Sequence, residues 1–110
     1  LLSSAPRHRT IGVHAHEFGH KIGLPDLYDT YGSSSGVGHW CLMGSGSWTS
    51  NVPGSENGEA PAHMSAWCKW SMGWITPTDR TGQKLEESIP QAETNPYAVQ
   101  LLSNPGGPDV

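Results

Sequence analysis

Two histidines four residues apart, with a glutamate directly after the first, are the residues of this sequence best suited to chemistry. They form the pattern His16-Glu17-x-x-His20. On a helix, residues i and i+4 lie one turn apart on the same face, so the two imidazoles could bind one ion. Zinc accepts such ligands, and Glu17 would flank the ion as a general base toward a water molecule that the ion makes acidic. The spacing therefore predicts zinc-dependent hydrolysis.

A catalytic zinc site needs a third protein ligand and one open position. Asp26 follows His20, and Gly23 between them permits a sharp turn that returns the chain to the ion. The rivals are Glu56 and Glu59, because a glutamate on a second helix could also supply the third ligand. The ordinary interpretation of Glu59 is a charge favourable at a helix N-terminus. The full pattern, H-E-x-x-H-x-x-G-x-x-D, favours Asp26.

Three further side chains near the motif are weaker candidates. The Tyr28 phenol could help to polarise the scissile carbonyl, although packing is its ordinary role. His39 could orient a ligand or stabilise the tetrahedral intermediate, or it could simply pack beside Trp40. Asp29, together with Asp26 and nearby carbonyl groups, could hold a structural Ca²⁺. The ordinary interpretation of Asp29 is an Asx-type turn.

The element that must position these groups is a helix from Thr10, a possible cap, to about Ile22. Gly23 followed by Pro25 would end it, in the order typical of helix C-termini. The apolar residues of this helix recur at helical spacing; they are Ile11, Ala15, Phe18 and Ile22. The motif is therefore predicted to lie on an amphipathic helix.

The rest of the chain is less regular. Residues 24–58 lack clear periodicity and contain seven glycines, and an ordered segment of that kind is usually functional. A second helix is predicted from about Ala60 to Met72, ended by Gly73. Weak strand signals follow around Leu85 and in Tyr97–Leu102. The five tryptophans are predicted to form the core and the floor of a cleft.

Composition and charge exclude several classes of protein. The 110 residues carry 6 basic and 10 acidic side chains, for a formal net charge of −4, so neither nucleic acid nor an anionic membrane is an expected partner. No apolar run approaches the roughly 20 residues of a membrane-spanning helix. Two cysteines, Cys41 and Cys68, are too few for a disulfide scaffold and leave open one disulfide or two thiols.

Three blocks of the sequence resemble the immune inhibitor A family of bacterial secreted metallopeptidases, a metzincin-type family. They are GVHAHEFGHKIGLPDLYD, GVGHWCLMGSGSW and APAHMSAWCKWSMGW. The resemblance implies an α+β fold, the C-terminal, lower part of a metzincin-like zincin catalytic domain. Residues 1–77 would be the partial catalytic core, with a substrate-holding sheet upstream of residue 1. Residues 78–110 would begin the following segment of strands and loops.

The resemblance also implies a function, a zinc endopeptidase that acts on protein or peptide substrates. One catalytic Zn²⁺ would be held by His16, His20 and Asp26, with Glu17 as general base and then acid. Met43 would be the methionine of a turn packed beneath the ligands. Secretion is implied by the resemblance alone, since the first nine residues lack the order of a signal peptide.

Two other functions remain open at this point. The chain could be a truncated or degenerate zinc-binding homologue that acts as an inactive structural or interaction module. It could also be a metal-dependent hydrolase of non-peptide substrates, because such a site fixes the reaction type better than the substrate.

Overall fold

The computed structural model of the protein describes residues 10–83 and 86–103. The chain divides into two compact units, residues 1–65 and residues 66–110. The first unit contains helix α1 (Ile11–Lys21) and two short 3₁₀ helices, Gly38–Trp40 and Ser45–Trp48. The second contains α2 (Ala66–Ser71) and the strands β1 (Thr78–Asp79) and β2 (Val99–Gln100). A domain boundary after residue 77 stays a prediction.

Both ends of α1 lie where the sequence predicts them, but the N-terminus is not stabilised by the predicted side-chain cap. Thr10 occupies the N-cap position without a capping hydrogen bond. Its hydroxyl instead donates to the Asn57 carbonyl oxygen at 2.7 Å. The Gly12 amide donates to the Gly58 carbonyl oxygen at 2.9 Å. The first turn of α1 is therefore fixed by the distant 57–58 segment.

A glycine turn ends α1, as predicted. Gly23 has φ +108°, a left-handed conformation that glycine adopts without steric cost. The Leu24 amide donates to the Gly19 carbonyl at 3.0 Å, and the Gly23 amide donates to that of His20 at 3.1 Å. This pair of bonds is the Schellman motif. It reverses the chain at once, so that the residues after Leu24 run back past the last turn of the helix.

The packed face of α1 is not its apolar stripe. The buried residues of the helix are Gly12, His16 and Gly19, whereas Ile11 and Phe18 are 60% and 64% exposed. A Cβ atom on Gly12 would lie 1.9 Å from the Ser47 carbonyl oxygen. Close approach of backbone to backbone, which only glycine permits, therefore decides which face of the helix is buried.

The prediction that tryptophans form the core is wrong. The buried apolar residues of the first unit are Leu24, Cys41, Leu42 and Met43. All five tryptophans are exposed, Trp40 by 89%. Among the described residues of the first unit, the core is thus formed by leucine, cysteine and methionine side chains, and neither Trp40 nor Trp48 belongs to it. Trp48 does line a cleft.

The second helix is shorter than predicted, because residues 60–65 are not helical. The Ala60 amide donates to the Thr49 carbonyl at 3.2 Å, and the Ala62 amide donates to the Gly46 carbonyl at 2.8 Å. These long-range bonds satisfy amide groups that a helix would otherwise leave unpaired in its first turn. The helix therefore begins only at Ala66.

The second unit contains the remaining predicted elements. Gly73, with φ +75°, ends α2, and the Trp74 amide donates to the Lys69 carbonyl at 2.8 Å. The two strands are parallel, with Thr78 opposite Val99. The strand predicted within residues 97–102 is confirmed, and that predicted around residue 85 is centred on a position outside the described residues. No helix of the described part could cross a membrane.

Candidate metal centre

Three of the predicted ligands converge at the end of α1. The Nε2 atoms of His16 and His20 each lie 2.9 Å from Oδ1 of Asp26. The three ligand atoms all lie within 4.8 Å of one another. The two imidazole rings are nearly perpendicular, at 86°. Helical spacing places the histidines side by side, and the glycine turn brings the aspartate to them.

A backbone carbonyl fixes the orientation of each imidazole. Nδ1 of His16 lies 2.8 Å from the Leu42 carbonyl oxygen, and Nδ1 of His20 lies 2.8 Å from that of Leu24. A carbonyl oxygen can only accept, so these distances assign the proton to Nδ1 in both rings. Each Nε2 is then directed at the site. Outer partners of this kind are typical of metal-binding histidines.

The chemistry of these donors fits a cation. With a proton on each Nδ1, the Nε2 lone pairs of His16 and His20 both face a carboxylate oxygen of Asp26. Three electron-rich atoms at this separation repel one another unless a proton or a metal ion lies among them. Two imidazole nitrogens and one carboxylate oxygen form a ligand set typical of catalytic zinc sites.

The surroundings of the site favour the charged forms of His20 and Asp26. The pKa of His20 is raised, chiefly by the hydrogen bond to the Leu24 carbonyl and, against the effect of burial, by the negative charge of Asp26. Burial alone would raise the pKa of Asp26. The hydrogen bond from Tyr28, together with the hydrogen bond from His16 and the positive charges of the two imidazoles when these rings are protonated, outweighs burial and lowers this pKa. The carboxyl group is therefore held ionised, as a ligand must be.

Glu17 lies beside the ligands and faces open space. It is exposed and, with His16, borders a cleft of about 590 Å³. On its other side it borders a shallower groove together with His20. A carboxylate in this position can reach a water molecule near the ligands without leaving the helix. It does not itself belong to the converging group.

Met43 lies directly against the helix that carries the ligands. Its side chain is fully buried, and a Cβ atom on Gly19 would lie only 2.3 Å from its Sδ. The Met43 carbonyl also accepts a hydrogen bond from the Leu27 amide at 2.8 Å. Met43 thus contacts α1 beside His20 and holds the segment that carries Asp26.

The same cleft brings together Tyr28, His39 and Trp48. The Tyr28 ring lies nearly parallel to that of His16, at 22° with a centroid separation of 6.2 Å. A hydrogen bond to Asp26 raises the pKa of the Tyr28 hydroxyl. His39 is exposed, in the 3₁₀ helix that borders the cleft.

Asp29 organises a turn. Its carboxylate accepts hydrogen bonds from the Ser33 hydroxyl and from the Tyr31 and Ser34 amides, at 2.9 and 2.7 Å for the two amides. Led by the Ser33 contact, these bonds lower the pKa of Asp29 to about 2. Both carboxylate oxygens of Asp29 accept hydrogen bonds within this turn. A calcium site shared by Asp29 and Asp26 therefore has no support.

Neither rival third ligand belongs to the converging group. Within residues 10–83 and 86–103, that group consists of His16, His20 and Asp26. Glu56 and Glu59 are exposed in a loop. Glu59 precedes α2, which starts at residue 66, so its interpretation as a helix-terminus charge is wrong.

Some groups that shape the site escaped the sequence analysis. The carbonyls of Leu24 and Leu42 orient the ligands, but a backbone carbonyl leaves no trace in residue type. Gly19 did offer a signal, because a glycine within a helix costs about 1 kcal/mol relative to alanine and so indicates a packing requirement.

A helix bearing His-Glu-x-x-His, with a glycine turn that returns an aspartate to the imidazoles, is characteristic of metallopeptidases. A sequence profile described as immune inhibitor A peptidase M6, catalytic domain, matches residues 3–75. The chain belongs to this family, which implies a metzincin-like fold.

Individual relatives agree with the family. The chain is 42% identical over 99 residues to a protein named Pre-pro-metalloprotease PrtV in two strains of Vibrio cholerae, an alignment covering 83% of this chain and 10% of the relative. It is 29% identical over 105 residues to Immune inhibitor A of Bacillus thuringiensis subsp. alesti, covering 92% of this chain and 15% of the relative. The chain thus spans a small part of these relatives. No solved structure matches it significantly.

Proposed function

We propose that the chain carries the metal centre of a zinc-dependent endopeptidase that acts on protein or peptide substrates. The observation that carries this proposal is the convergence of His16, His20 and Asp26 beside Glu17 in a member of a peptidase family. The relatives named metalloprotease and immune inhibitor support the same activity. An extracellular place of action, suggested by these relatives, is part of the proposal.

In the proposed mechanism, His16, His20 and Asp26 would hold the ion, next to the cleft that His16 and Glu17 border. When bound, zinc supplies Lewis acidity, which makes water acidic and polarises the scissile carbonyl. Glu17 takes a proton from the attacking water and later delivers it to the leaving amine. The carbonyl groups of Leu24 and Leu42 keep both imidazoles in the tautomer that binds metal.

Met43 has a structural part in this proposal. Its buried side chain packs against Gly19 and so positions the turn of α1 that carries His20. Its carbonyl accepts a hydrogen bond from the Leu27 amide, which restrains the segment that contains Asp26. His39 borders the cleft, where an imidazole N–H could donate to the oxyanion that forms on the substrate carbonyl.

The first experiment separates the base from the ligands. Glu17→Gln keeps a similar shape but cannot accept the proton, so zinc should stay bound while kcat falls by about 10²–10⁴-fold. His20→Ala and Asp26→Asn should lose stoichiometric zinc in elemental analysis. Glu59→Gln is the matched control for Glu17→Gln, and it should change neither zinc content nor hydrolysis.

These measurements use casein as the substrate. They are made both on the protein expressed from the complete open reading frame that encodes the chain and on the 110-residue chain. Wild-type hydrolysis by Glu17→Gln would contradict the proposed mechanism. Zinc loss in Glu59→Gln but not in Asp26→Asn would move the third ligand to Glu59. Stoichiometric zinc without peptide hydrolysis in the wild-type open reading frame would instead indicate a metal-binding structural or interaction module.

A further inference from the structure

We propose that the cleft beside Glu17 selects peptide substrates with a lysine or arginine side chain next to the scissile bond. Trp48 contacts the aliphatic stem of that side chain, and Asp29 attracts its positive charge. This selectivity rests on the proposed function and adds a substrate class to it.

The position of the cleft suits a side chain adjacent to the reacting bond. The cleft is bordered by His16, a ligand of the candidate metal centre, and by Glu17, the proposed base. Its volume of about 590 Å³ lies within the range of pockets that enclose small ligands. A peptide whose scissile bond lies within reach of Glu17 can therefore place a neighbouring side chain in the cleft.

The charged side chains that border the cleft are acidic. Among the described residues these are Glu17 and Asp29, and the lining contains no lysine or arginine. The charge of a bound Zn²⁺ is formally offset by Asp26 and Glu17, so Asp29 gives the cleft a net negative charge. Such a field attracts a cationic side chain and repels a carboxylate. Serine hydroxyls that can accept hydrogen bonds from an ammonium or guanidinium group also line the cleft; they belong to Ser34, Ser35, Ser45 and Ser47.

The carboxylate of Asp29 is held in place at the wall of the cleft. Its oxygens accept hydrogen bonds from the Tyr31 and Ser34 amides at 2.9 and 2.7 Å, and from the Ser33 hydroxyl. Hydrogen bonds to a carboxylate favour its ionised form. Asp29 therefore acts on a substrate cation as a fixed negative charge, and not by moving to meet it.

Trp48 supplies an apolar surface within the cleft. It is 54% exposed and borders the cleft together with Val13 of α1. The preceding residue, Ser47, is fixed against the helix, because a Cβ atom on Gly12 would lie 1.9 Å from the Ser47 carbonyl oxygen. Lysine and arginine lay their aliphatic stems along such surfaces, and the face of an indole ring attracts a cation. One substrate side chain can thus use both Trp48 and Asp29.

The test uses the protein expressed from the complete open reading frame and three alanine-based peptides that differ at the central residue. This residue is lysine, norleucine or glutamate. Norleucine has the aliphatic stem of lysine without the ammonium group, so the difference between these two peptides measures the effect of the charge.

The kcat/KM should be highest for the lysine peptide and lowest for the glutamate peptide. Mass spectrometry of the products should place the cleaved bond next to the central lysine. The preference for lysine over norleucine should shrink when the salt concentration rises from about 0.15 M to about 1 M, because the Debye length falls from about 8 Å to about 3 Å.

Two substitutions separate the two contacts. Asp29→Asn should lower kcat/KM for the lysine peptide by about 2- to 5-fold relative to the norleucine peptide. Asp79→Asn is its matched control, because Asp79 also accepts a hydrogen bond from a backbone amide, that of Thr81, but does not border the cleft. Trp48→Leu should lower kcat/KM for the lysine peptide by about 2- to 5-fold. Trp40→Leu, which removes an indole ring outside the cleft, should leave it unchanged.

Peptide binding provides a readout that does not depend on hydrolysis. In the Glu17→Gln variant, the lysine peptide should bind more tightly than the norleucine and glutamate peptides, as measured by the change in tryptophan fluorescence. This change should be lost when Trp48→Leu is added and kept when Trp40→Leu is added. Should Asp29→Asn fail to fold, the salt dependence of the preference for lysine in the wild type still tests the effect of the charge.

Equal or tighter binding of the norleucine or glutamate peptide would overturn the proposal. An equal effect of Asp29→Asn on the lysine and norleucine peptides would also overturn it, because Asp29 would then support the loop and not the charge preference. The proposed function fails by a different result, the absence of peptide hydrolysis from wild-type protein with zinc bound. The order of the three binding affinities does not depend on that activity.

Discussion

Gly19→Ala tests whether the contact with Met43 fixes the position of helix α1, which carries His16 and His20. The new Cβ atom would lie 2.3 Å from Sδ and 3.0 Å from Cε of Met43. Ordinary carbon–sulfur contacts exceed 3.4 Å, so the buried Met43 side chain must move by about 1 Å. Overpacking of this kind typically costs about 1–3 kcal/mol. Alanine gains about 1 kcal/mol over glycine within a helix, so the expected net loss of stability is about 1 kcal/mol.

The effect of Gly19→Ala on the free energy of unfolding should change sign when Met43 is shortened. Met43→Ala alone should destabilise the protein by about 2–5 kcal/mol through the cavity it leaves. In that background the Gly19→Ala methyl meets no sulfur, and only the helix-propensity gain of about 1 kcal/mol remains. Gly19→Ala is therefore expected to destabilise wild-type protein and to stabilise the Met43→Ala variant.

Urea unfolding followed by tryptophan fluorescence measures all four members of this cycle. An equal effect of Gly19→Ala in both backgrounds would show that the contact with Met43 does not govern the cost, and would overturn this account of the helix packing. Zinc affinity provides an independent readout. It should fall in Gly19→Ala, because His20 is the next residue along the helix.

Further predictions concern backbone packing, pH and metal. Gly12→Ala should prevent folding, because its Cβ atom would lie 1.9 Å from the Ser47 carbonyl oxygen, an atom that cannot move aside; soluble yield and circular dichroism test this. The pKa of Asp29 is lowered to about 2, chiefly by the Ser33 hydroxyl, so its stabilising contribution is present above pH 4 and is lost as pH falls toward 2. Asp29→Ala should therefore flatten the acid side of a stability profile measured by urea unfolding. Zinc at 100 times its dissociation constant should stabilise the protein by about 2.7 kcal/mol, and calorimetry should show no such shift in His20→Ala.

The sequence predicts those parts of the fold that depend on residues close to one another along the chain. The limits of α1 follow from apolar spacing and from Gly23, all within a few residues of one another. The second helix was predicted to start at Ala60, yet that segment bonds to residues 46–49. Helical periodicity cannot reveal a competing partner more than ten residues away, and long-range bonds therefore overrode the local pattern.

The tryptophans illustrate the same limit. Their size and hydrophobicity favour burial, but the buried apolar side chains of the first unit belong to leucine, cysteine and methionine residues. Trp40 is exposed although its neighbour Cys41 is fully buried. Residue type alone did not reveal how closely the backbone segments approach one another.

The pattern of residue types favoured His16, His20 and Asp26 as the ligand set over the alternatives Glu56 and Glu59. His16, His20 and Asp26 lie within eleven residues, on one helix and one glycine turn, so local geometry suffices to bring them together. The tertiary structure decided what holds them in place. The Leu42 carbonyl that orients His16 comes from 26 residues away, and Met43 reaches Gly19 from a distant loop. Such contacts depend on chain folding over long separations, which no local pattern of residue types encodes.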